Sequence, residues 1–171
     1  MKDRKITIIG LGYIGLPTAA VMARAGMDVL GYDLNTRVID ALNKGEIIIE
    51  EPGLSDLVNE MVSGGRLRGI KSLEESDVFI IAVPTPITED KKADMSYVES
   101  AAMEIAPHLK PGNIVVLEST SPPGATEDIV TPILARSGLK IGEEVFLAHS
   151  PERVLPGKII QELVQNDRII G

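Results

Sequence analysis

Three glycines, at positions 10, 12 and 15, follow the run Lys5-Ile6-Thr7-Ile8-Ile9 near the start of the chain. In a strand-turn-helix unit, Gly10 would form the tight turn, Gly12 would let the backbone approach a pyrophosphate, and Gly15 would let helix and strand pack closely. The free N–H groups at the start of the helix, together with the helix dipole, favour an anion there. This spacing predicts a dinucleotide site, against the alternative of a glycine turn that binds nothing.

An acidic residue ends the next apolar segment. Asp33 lies 18 residues after Gly15, close to the separation of about 20 at which a carboxylate holds the ribose hydroxyls of NAD. A carboxylate here would repel the 2′-phosphate of NADP, so NAD is expected to be preferred. The other interpretation of Asp33 is a helix cap. Arg37 opens the following helix, where its guanidinium either reaches the adenine or ribose or remains solvated.

Polar residues also follow three later apolar segments. Pro84-Thr85-Pro86 follows one segment, Thr120 follows another, and Glu152-Arg153 follows a third. The carboxyl ends of parallel strands form one edge of a sheet, so these residues are candidates for the ligand of the glycine turn. Thr85 is otherwise a residue that simply ends its strand. The sequence has no serine–histidine–aspartate set and no metal spacing, because His149 and Glu152 alone are too few for a metal.

Strand-like and helix-like segments alternate along most of the chain. Short aliphatic runs between glycine, proline or polar residues predict strands, and apolar residues three or four apart predict helices. The predicted strands cover residues 5–9, 28–33, 67–70, 77–83, 113–120, 145–149 and 168–170. The predicted helices cover residues 14–25, 36–44, 54–61, 96–108 and 127–137, with Pro132 expected to kink the last of them. This alternation predicts an α/β fold, doubly wound, with a mostly parallel Rossmann-type sheet and helices on both faces.

The composition fits one globular domain over residues 1–171. Hydrophobic residues make up 44% of the chain and aromatic residues 3%, so an aliphatic core around a helix-covered parallel sheet is expected. The net charge of −8 argues against a nucleic-acid partner, since phosphates require a basic surface. The chain has no cysteine, which excludes disulfides and thiolate chemistry from it and is compatible with a cytoplasmic location.

The N-terminus has a partial likeness to a secretory signal. Basic residues precede an uncharged run from Ile6 to Ala23. The three glycines and Pro17 would interrupt the apolar helix of a signal peptide, and Asp33 would be left without a role. The dinucleotide interpretation explains more residues, so neither targeting nor membrane insertion is expected.

Six motifs are spread along the whole chain. They are Gly10-Leu11-Gly12-Tyr13-Ile14-Gly15-Leu16-Pro17, Leu42-Asn43-Lys44-Gly45-Glu46, Glu51-Pro52-Gly53-Leu54, Val83-Pro84-Thr85-Pro86, Ser119-Thr120 and Ser150-Pro151-Glu152-Arg153-Val154. In this order they resemble the N-terminal NAD-binding domain of the UDP-glucose/GDP-mannose dehydrogenase family.

The resemblance implies an NAD-dependent, four-electron oxidation of the C6 alcohol of a nucleotide sugar to the carboxylate, in two hydride transfers. In the family a cysteine holds the intermediate as a thiohemiacetal and then as a thioester, which water cleaves. A lysine and an asparagine on a later helix assist. The residues that would contact NAD by position are Tyr13, Ile14, Asp33, Arg37, Thr85 and Thr120, with Pro84 in the same turn as Thr85.

The resemblance also assigns residues to the sugar substrate. Arg153 and Val154 would contact the sugar, and Glu152 would line the same pocket. Thr120 would lie near the reacting centre, which makes Thr120 and Glu152 the catalytic candidates of this chain.

The chain departs from the family pattern in two places. It has no cysteine, so it is expected to be a fragment that lacks the central helix and the C-terminal UDP-sugar domain and is inactive alone. Family members are dimers or larger, joined largely through that later part, so the fragment alone is expected to be a monomer. The second departure is Pro156, which stands where UDP-glucose 6-dehydrogenases have a second glutamate.

The segment from Pro151 to Gly157 is more similar to the UDP-N-acetyl-D-mannosamine dehydrogenases of the family. That sugar is therefore the expected substrate, with UDP-N-acetylglucosamine and UDP-glucose as alternatives. Two other classes of function stay open: a dinucleotide-sensing module without turnover, and a methyltransferase-like domain that binds S-adenosylmethionine. Gly15 and the Pro84-Thr85-Pro86 turn argue against the methyltransferase.

Overall fold

The computed structural model describes residues 4–171, which form an α/β domain around a six-stranded sheet. The strands are β1 (Lys5–Ile9), β2 (Asp28–Tyr32), β3 (Leu67–Ile70), β4 (Val78–Ile81), β5 (Ile114–Leu117) and β6 (Phe146–His149). They lie in the order β3-β2-β1-β4-β5-β6, and all five neighbouring pairs are parallel. This is the doubly wound order of dinucleotide-binding sheets, in which the winding reverses between β1 and β4. The predicted fold class is confirmed.

Helices cover both faces of this sheet. They are α1 (Gly15–Arg24), α2 (Thr36–Leu42), α3 (Leu54–Ser63), α4 (Ser96–Ile105), α5 (Thr131–Leu134) and α6 (Ile159–Gln165). One hydrophobic core lies between the sheet and α1, α2 and α3, and a second core of different residues lies between the sheet and α4 and α5. Because both faces are buried, the strands are nearly continuous apolar runs rather than alternating ones.

Helix α1 approaches the sheet closely because its buried side chains are small. Ala19 and Ala20 are fully buried and Ala23 nearly so. Gly26 follows the helix with φ of 95°, the left-handed conformation that lets the chain turn back into β2. The helix therefore runs from the glycine turn to the opposite end of the sheet and returns the chain directly to the neighbouring strand.

The helical stretch after β5 accommodates Pro132 by a change of helix type. A π-helical turn covers Thr126–Val130, α5 follows at Thr131–Leu134, and a 3-10 turn covers Ala135–Ser137. Pro132 thus lies in the first turn of α5, where its missing N–H costs little. The helix predicted over residues 127–137 is one helical segment whose type changes where a kink was expected.

The two edge strands, β3 and β6, are each four residues long. At the β3 edge, the Arg68 guanidinium donates two hydrogen bonds to the Glu74 carboxylate, at 3.1 and 2.9 Å. At the β6 edge, His149 and Gly171 exchange two backbone hydrogen bonds, at 2.7 and 3.0 Å. The strand predicted over residues 168–170 was wrong, since the antiparallel exchange with β6 is made by Gly171 instead.

Candidate functional site

The glycine turn between β1 and α1 has a different steric requirement at each glycine. Gly10 has φ of 93°, and a Cβ there would lie 2.6 Å from the carbonyl oxygen of Ala82. A Cβ on Gly15 would lie 1.8 Å from the carbonyl oxygen of Gly10, so only glycine lets α1 start this close to the turn. A Cβ on Gly12 would meet no described atom within 4 Å. The space in front of Gly12 is therefore open for a pyrophosphate.

The carboxylate of Asp33 fixes the end of β2 against this turn. One oxygen accepts a hydrogen bond from the backbone N–H of Leu11 at 2.8 Å, and the other accepts one from Asn35 at 2.8 Å. The cap of α2 is Asn35, whose side chain accepts a hydrogen bond from the N–H of Arg37 at 3.1 Å. Asp33 therefore does not cap α2 itself; it holds the glycine turn and the loop after β2 together.

A cavity of about 540 Å³ opens at the carboxyl ends of β1, β2 and β4, where the winding of the sheet reverses. Ligand cavities of roughly 300–1,000 Å³ are usual, so this one fits a large part of a dinucleotide. The predicted cofactor residues that line it are Gly10, Gly12, Tyr13, Ile14, Asp33 and Pro84. The open face of Gly12 and the carboxylate of Asp33 lie in the same cavity, as phosphate and ribose recognition require.

The far wall of the cavity is formed by α4, which the sequence reasoning did not include in the site. Tyr97, Ser100, Ala101 and Glu104 of this helix line the cavity. The spacing of these positions by three or four residues, which places them on one helix face, was the available signal. Tyr32 lies beside them, and burial together with the neighbouring Glu104 carboxylate raises the pKa of Tyr32 to about 12.

Four predicted cofactor residues are not in the lining of this cavity. Gly15 acts indirectly by letting α1 pack against the turn. Arg37 is exposed on α2, Thr85 is half-buried after β4, and Thr120 is exposed after β5. The hydroxyl of Ser119 donates a hydrogen bond to the carbonyl oxygen of Val83 at 2.7 Å, which joins the segments that carry Thr85 and Thr120.

A second polar cluster lies beyond the end of β5, centred on the buried carboxylate of Glu118. One Glu118 oxygen accepts a hydrogen bond from the hydroxyl of Thr18 on α1 at 3.3 Å, and the other accepts one from Arg168 at 3.3 Å. The same guanidinium donates to Glu152 at 2.5 Å. One cation thus lies between two carboxylates.

Burial has the largest effect on the pKa of Glu118 in this cluster. The Glu118 side chain is 4% exposed, and desolvation raises the pKa of Glu118 to about 7 even though Arg168 opposes the shift. The charge of Glu152 adds to the rise. Glu118 and Arg168 were missed by the sequence reasoning; a carboxylate directly after the apolar strand β5 was the only local signal.

The predicted substrate residues lie next to this cluster. The backbone N–H of Ser150 donates to the carbonyl oxygen of Leu117 at 3.0 Å, which holds the segment after β6 against the end of β5. The Glu152 carboxylate accepts from the N–H of Arg153 at 2.6 Å. Arg153 is exposed, and its guanidinium donates to the carbonyl oxygen of Asp167 at 3.2 Å. Val154 is half-buried beside it.

The loop that leads from this segment into α6 is held by a distant carboxylate. Glu51 is buried and accepts hydrogen bonds from the N–H groups of Gly157 at 2.8 Å and Ile159 at 2.9 Å. Lys158, at the N-cap position of α6, makes no side-chain cap. The Glu51 side chain therefore satisfies N–H groups at the start of this helix from another part of the chain.

The model of the NAD-binding domain of the UDP-glucose/GDP-mannose dehydrogenase family matches residues 4–171. The chain belongs to this family. The family and the NAD cofactor predicted from the motifs are thereby confirmed.

Named members of the family are similar to the chain over nearly its whole length. The UDP-N-acetyl-D-mannosamine dehydrogenase of Escherichia coli is 50% identical over 100% of this chain and 42% of its own length. The NDP-N-acetyl-D-galactosaminuronic acid dehydrogenase of Ralstonia nicotianae is 52% identical over 98% of this chain and 41% of its own length. The chain thus spans about two fifths of the length of the curated relatives that it matches.

Solved structures of the family share this fold. The UDP-N-acetyl-mannosamine dehydrogenase of Staphylococcus aureus superimposes with a TM-score of 0.94 at 51% identity, over 98% of this chain and 41% of that one. The GDP-mannose dehydrogenase of Pseudomonas aeruginosa, solved as a ternary complex, superimposes with a TM-score of 0.93 at 31% identity. The match covers 97% of this chain and 40% of that one.

Residues 4–171 contain neither a membrane-spanning helix nor a metal-binding cluster. No helix in that range is long and apolar enough to cross a bilayer. The same residues contain no group of three or more histidine, cysteine, aspartate or glutamate side chains placed to hold a metal ion.

Proposed function

We propose that this chain is the NAD-binding part of a nucleotide-sugar 6-dehydrogenase that oxidises UDP-N-acetyl-D-mannosamine to the uronate. The observation that carries the proposal is the cavity at the switch point of the sheet, in a chain 50% identical to the E. coli enzyme of that name. Pro156, in place of the second glutamate of UDP-glucose enzymes, supports an N-acetylated sugar. UDP-N-acetylglucosamine and UDP-glucose remain the alternative substrates.

On this proposal, the chain's residues hold the cofactor by its adenosine and pyrophosphate groups. The backbone of the glycine turn would bind the pyrophosphate at the start of α1, and Asp33 would accept hydrogen bonds from the ribose hydroxyls. Tyr13, Ile14 and Pro84 would cover the bound molecule, with Arg37, Thr85 and Thr120 at its margins. NAD supplies the hydride acceptor for both oxidation steps.

The substrate side of the proposal rests on the edge formed by β5 and β6. Thr120 would lie near the reacting carbon, and Glu152, Arg153 and Val154 would contact the sugar. The Glu152 carboxylate is held by Arg168 and by its own neighbouring N–H group, so its orientation is fixed before a sugar arrives. The thiol nucleophile must come from outside this chain, which contains no cysteine. We therefore expect these 171 residues alone to bind NAD without turnover.

The proposed assembly and location follow the same reasoning. The complete enzyme is expected to be a homodimer or larger in the cytoplasm, whereas the 171-residue chain is expected to sediment as a monomer. A stable dimer of this chain at micromolar concentration in sedimentation would contradict that expectation.

The test of function compares sugars in one assay. The enzyme encoded by the complete reading frame is incubated with NAD and with UDP-N-acetylmannosamine, UDP-N-acetylglucosamine or UDP-glucose, and NADH and uronate are measured. The proposal expects UDP-N-acetylmannosamine to give the highest kcat/KM, with two NADH per uronate. A higher value with another sugar would overturn the substrate assignment. NAD binding without oxidation of any of the sugars would favour the dinucleotide-sensing module.

A further inference from the structure

The cavity lining contains a second carboxylate besides that of Asp33. The cavity that contains the glycine turn and Asp33 is also lined by Leu34, Pro84 and residues of α4. The base of a bound NAD must lie in this space, because it follows the ribose in the molecule. Glu104, in the last turn of α4, is a lining residue here.

Glu104 differs from Asp33 in what already occupies its oxygens. Both oxygens of Asp33 accept backbone N–H groups, from Leu11 and Asn35. Glu104 and Tyr32 line the same cavity, Tyr32 is 9% exposed, and the Glu104 carboxylate contributes to the raised pKa of the Tyr32 hydroxyl. An ionised carboxylate has about four acceptor positions, so one phenol leaves capacity for a second donor.

The surroundings of Glu104 suit a flat apolar ring that carries one donor. Leu34, Pro84, Tyr97 and Ala101 supply mainly apolar surface, and the charge at this end of the lining comes from the Glu104 carboxylate. The adenine ring carries its 6-amino group as a donor at the edge, whereas hypoxanthine has a carbonyl oxygen at that position. A carboxylate attracts the first and repels the second.

We propose that Glu104 reads the base of the dinucleotide by accepting a hydrogen bond from the adenine 6-amino group, with Tyr32 orienting the carboxylate. This inference rests on the proposed binding of NAD in the cavity. On this inference Glu104 determines specificity for adenine, whereas the Asp33 carboxylate binds the ribose. Hydrogen bonds to charged groups change affinity by about tenfold or more, which sets the size of the expected effect.

The test uses NAD and nicotinamide hypoxanthine dinucleotide, in which a carbonyl oxygen replaces the 6-amino group of the base and N1 carries a hydrogen. The 171-residue chain is titrated with each by calorimetry. Wild type is expected to bind NAD at least about tenfold more tightly. Glu104→Gln is expected to bring the two affinities within about twofold, because the carboxamide can donate to the carbonyl oxygen of hypoxanthine. Glu99→Gln, on the same helix but outside the cavity lining, is the matched control and should keep the wild-type preference.

The outcomes separate this inference from the proposed function. Equal affinities in the wild type, or an unchanged preference in Glu104→Gln, would overturn the role of Glu104 while NAD binding stands. A folded wild-type chain that binds neither dinucleotide would overturn both proposals. Circular dichroism of each variant establishes that the chain is folded in every titration.

Discussion

The Asp33 carboxylate accepts a hydrogen bond from the backbone N–H of Leu11 at 2.8 Å. The end of β2 is therefore hydrogen-bonded directly to the glycine turn after β1. The two segments that should bind ribose and pyrophosphate are thus a single unit rather than two independent loops. On the proposed binding of NAD, we therefore expect a change at Asp33 to disturb phosphate binding as well as ribose binding.

Replacing Asp33 with asparagine tests this coupling. Asparagine has one side-chain acceptor oxygen, so it cannot accept from both Leu11 and Asn35 in the native arrangement. We expect NAD affinity to fall by about tenfold or more, since hydrogen bonds and charge are lost together. The preference for NAD over NADP should shrink, because the 2′-phosphate is no longer repelled. Titrations with both cofactors measure the two effects.

Asp40→Asn is the control, since Asp40 is exposed on α2 and pairs with Lys71 at 2.8 Å. This variant should bind both cofactors as wild type does.

Two glycine-to-alanine variants should separate folding from binding. At Gly15 the new Cβ would lie 1.8 Å from the carbonyl oxygen of Gly10, so α1 must move. We expect Gly15→Ala to lower the free energy of unfolding by about 3 kcal/mol or more, as overpacking against backbone does. At Gly12 the Cβ meets no described atom within 4 Å, so Gly12→Ala should unfold with a Tm close to wild type.

Gly12→Ala should lose NAD affinity even though its stability is expected to be close to that of wild type. Gly12→Ala fills the space needed by the pyrophosphate, so NAD affinity should fall by about tenfold or more although the fold is intact. Thermal unfolding and NAD titration of the same samples measure both properties. Normal NAD affinity in Gly12→Ala would show that the pyrophosphate does not approach this turn.

The buried carboxylate of Glu118 should make stability depend on pH. Its folded-state pKa is raised to about 7 from the ordinary value of 4.5, so between these values the folded protein holds a proton that the unfolded chain has released. Stability should therefore fall as the pH rises through this window, by at most roughly 3 kcal/mol, and level off above it. Urea unfolding from pH 4.5 to 8 measures this slope.

Glu118→Gln should flatten the dependence of stability on pH, whereas Glu60→Gln, at an exposed position on α3, should leave it unchanged. An unaltered slope in Glu118→Gln would assign the pH dependence to another group.

The capping role of Glu51 can be tested against its immediate neighbour. Glu51→Gln leaves one acceptor oxygen for the N–H groups of Gly157 and Ile159, so the start of α6 should open more often. We expect a loss of about 1–3 kcal/mol in the protection of α6 amides against hydrogen exchange. Glu50→Gln changes an exposed side chain and should have no such effect. Equal exchange in the two variants would mean that Glu51 does not hold this helix.

Local sequence signals were enough for the fold and for several residues that line the cavity at the switch point of the sheet. The buried strands, the glycine turn and the acid at position 33 each depend on spacing within a few tens of residues, which a single sequence displays. The β3 edge strand, Leu67–Ile70, was also predicted correctly.

Contacts between distant segments could not be obtained in the same way. Glu118 and Arg168 are 50 residues apart, and Glu51 and Ile159 are 108 apart. Their pairing depends on how the ends of β5 and β6 and the α6 loop pack, and no periodicity encodes that arrangement. The residue that caps the N-terminus of α2 was also hard to predict, because Asp33 and Asn35 are both suitable residue types. Asn35 is the cap, since one oxygen of Asp33 is hydrogen-bonded to the N–H of Leu11 instead.

The short edges of the sheet bear on how the protein behaves at high concentration. A free sheet edge is a template on which a second molecule can add a strand, and long flat edges lead to aggregation. Here an incoming strand would find four residues on either side, a charged Arg68–Glu74 pair at one and the backbone of Gly171 already hydrogen-bonded to His149 at the other. Short strands, a charged pair and an edge residue that is already paired all disfavour growth of the sheet from molecule to molecule.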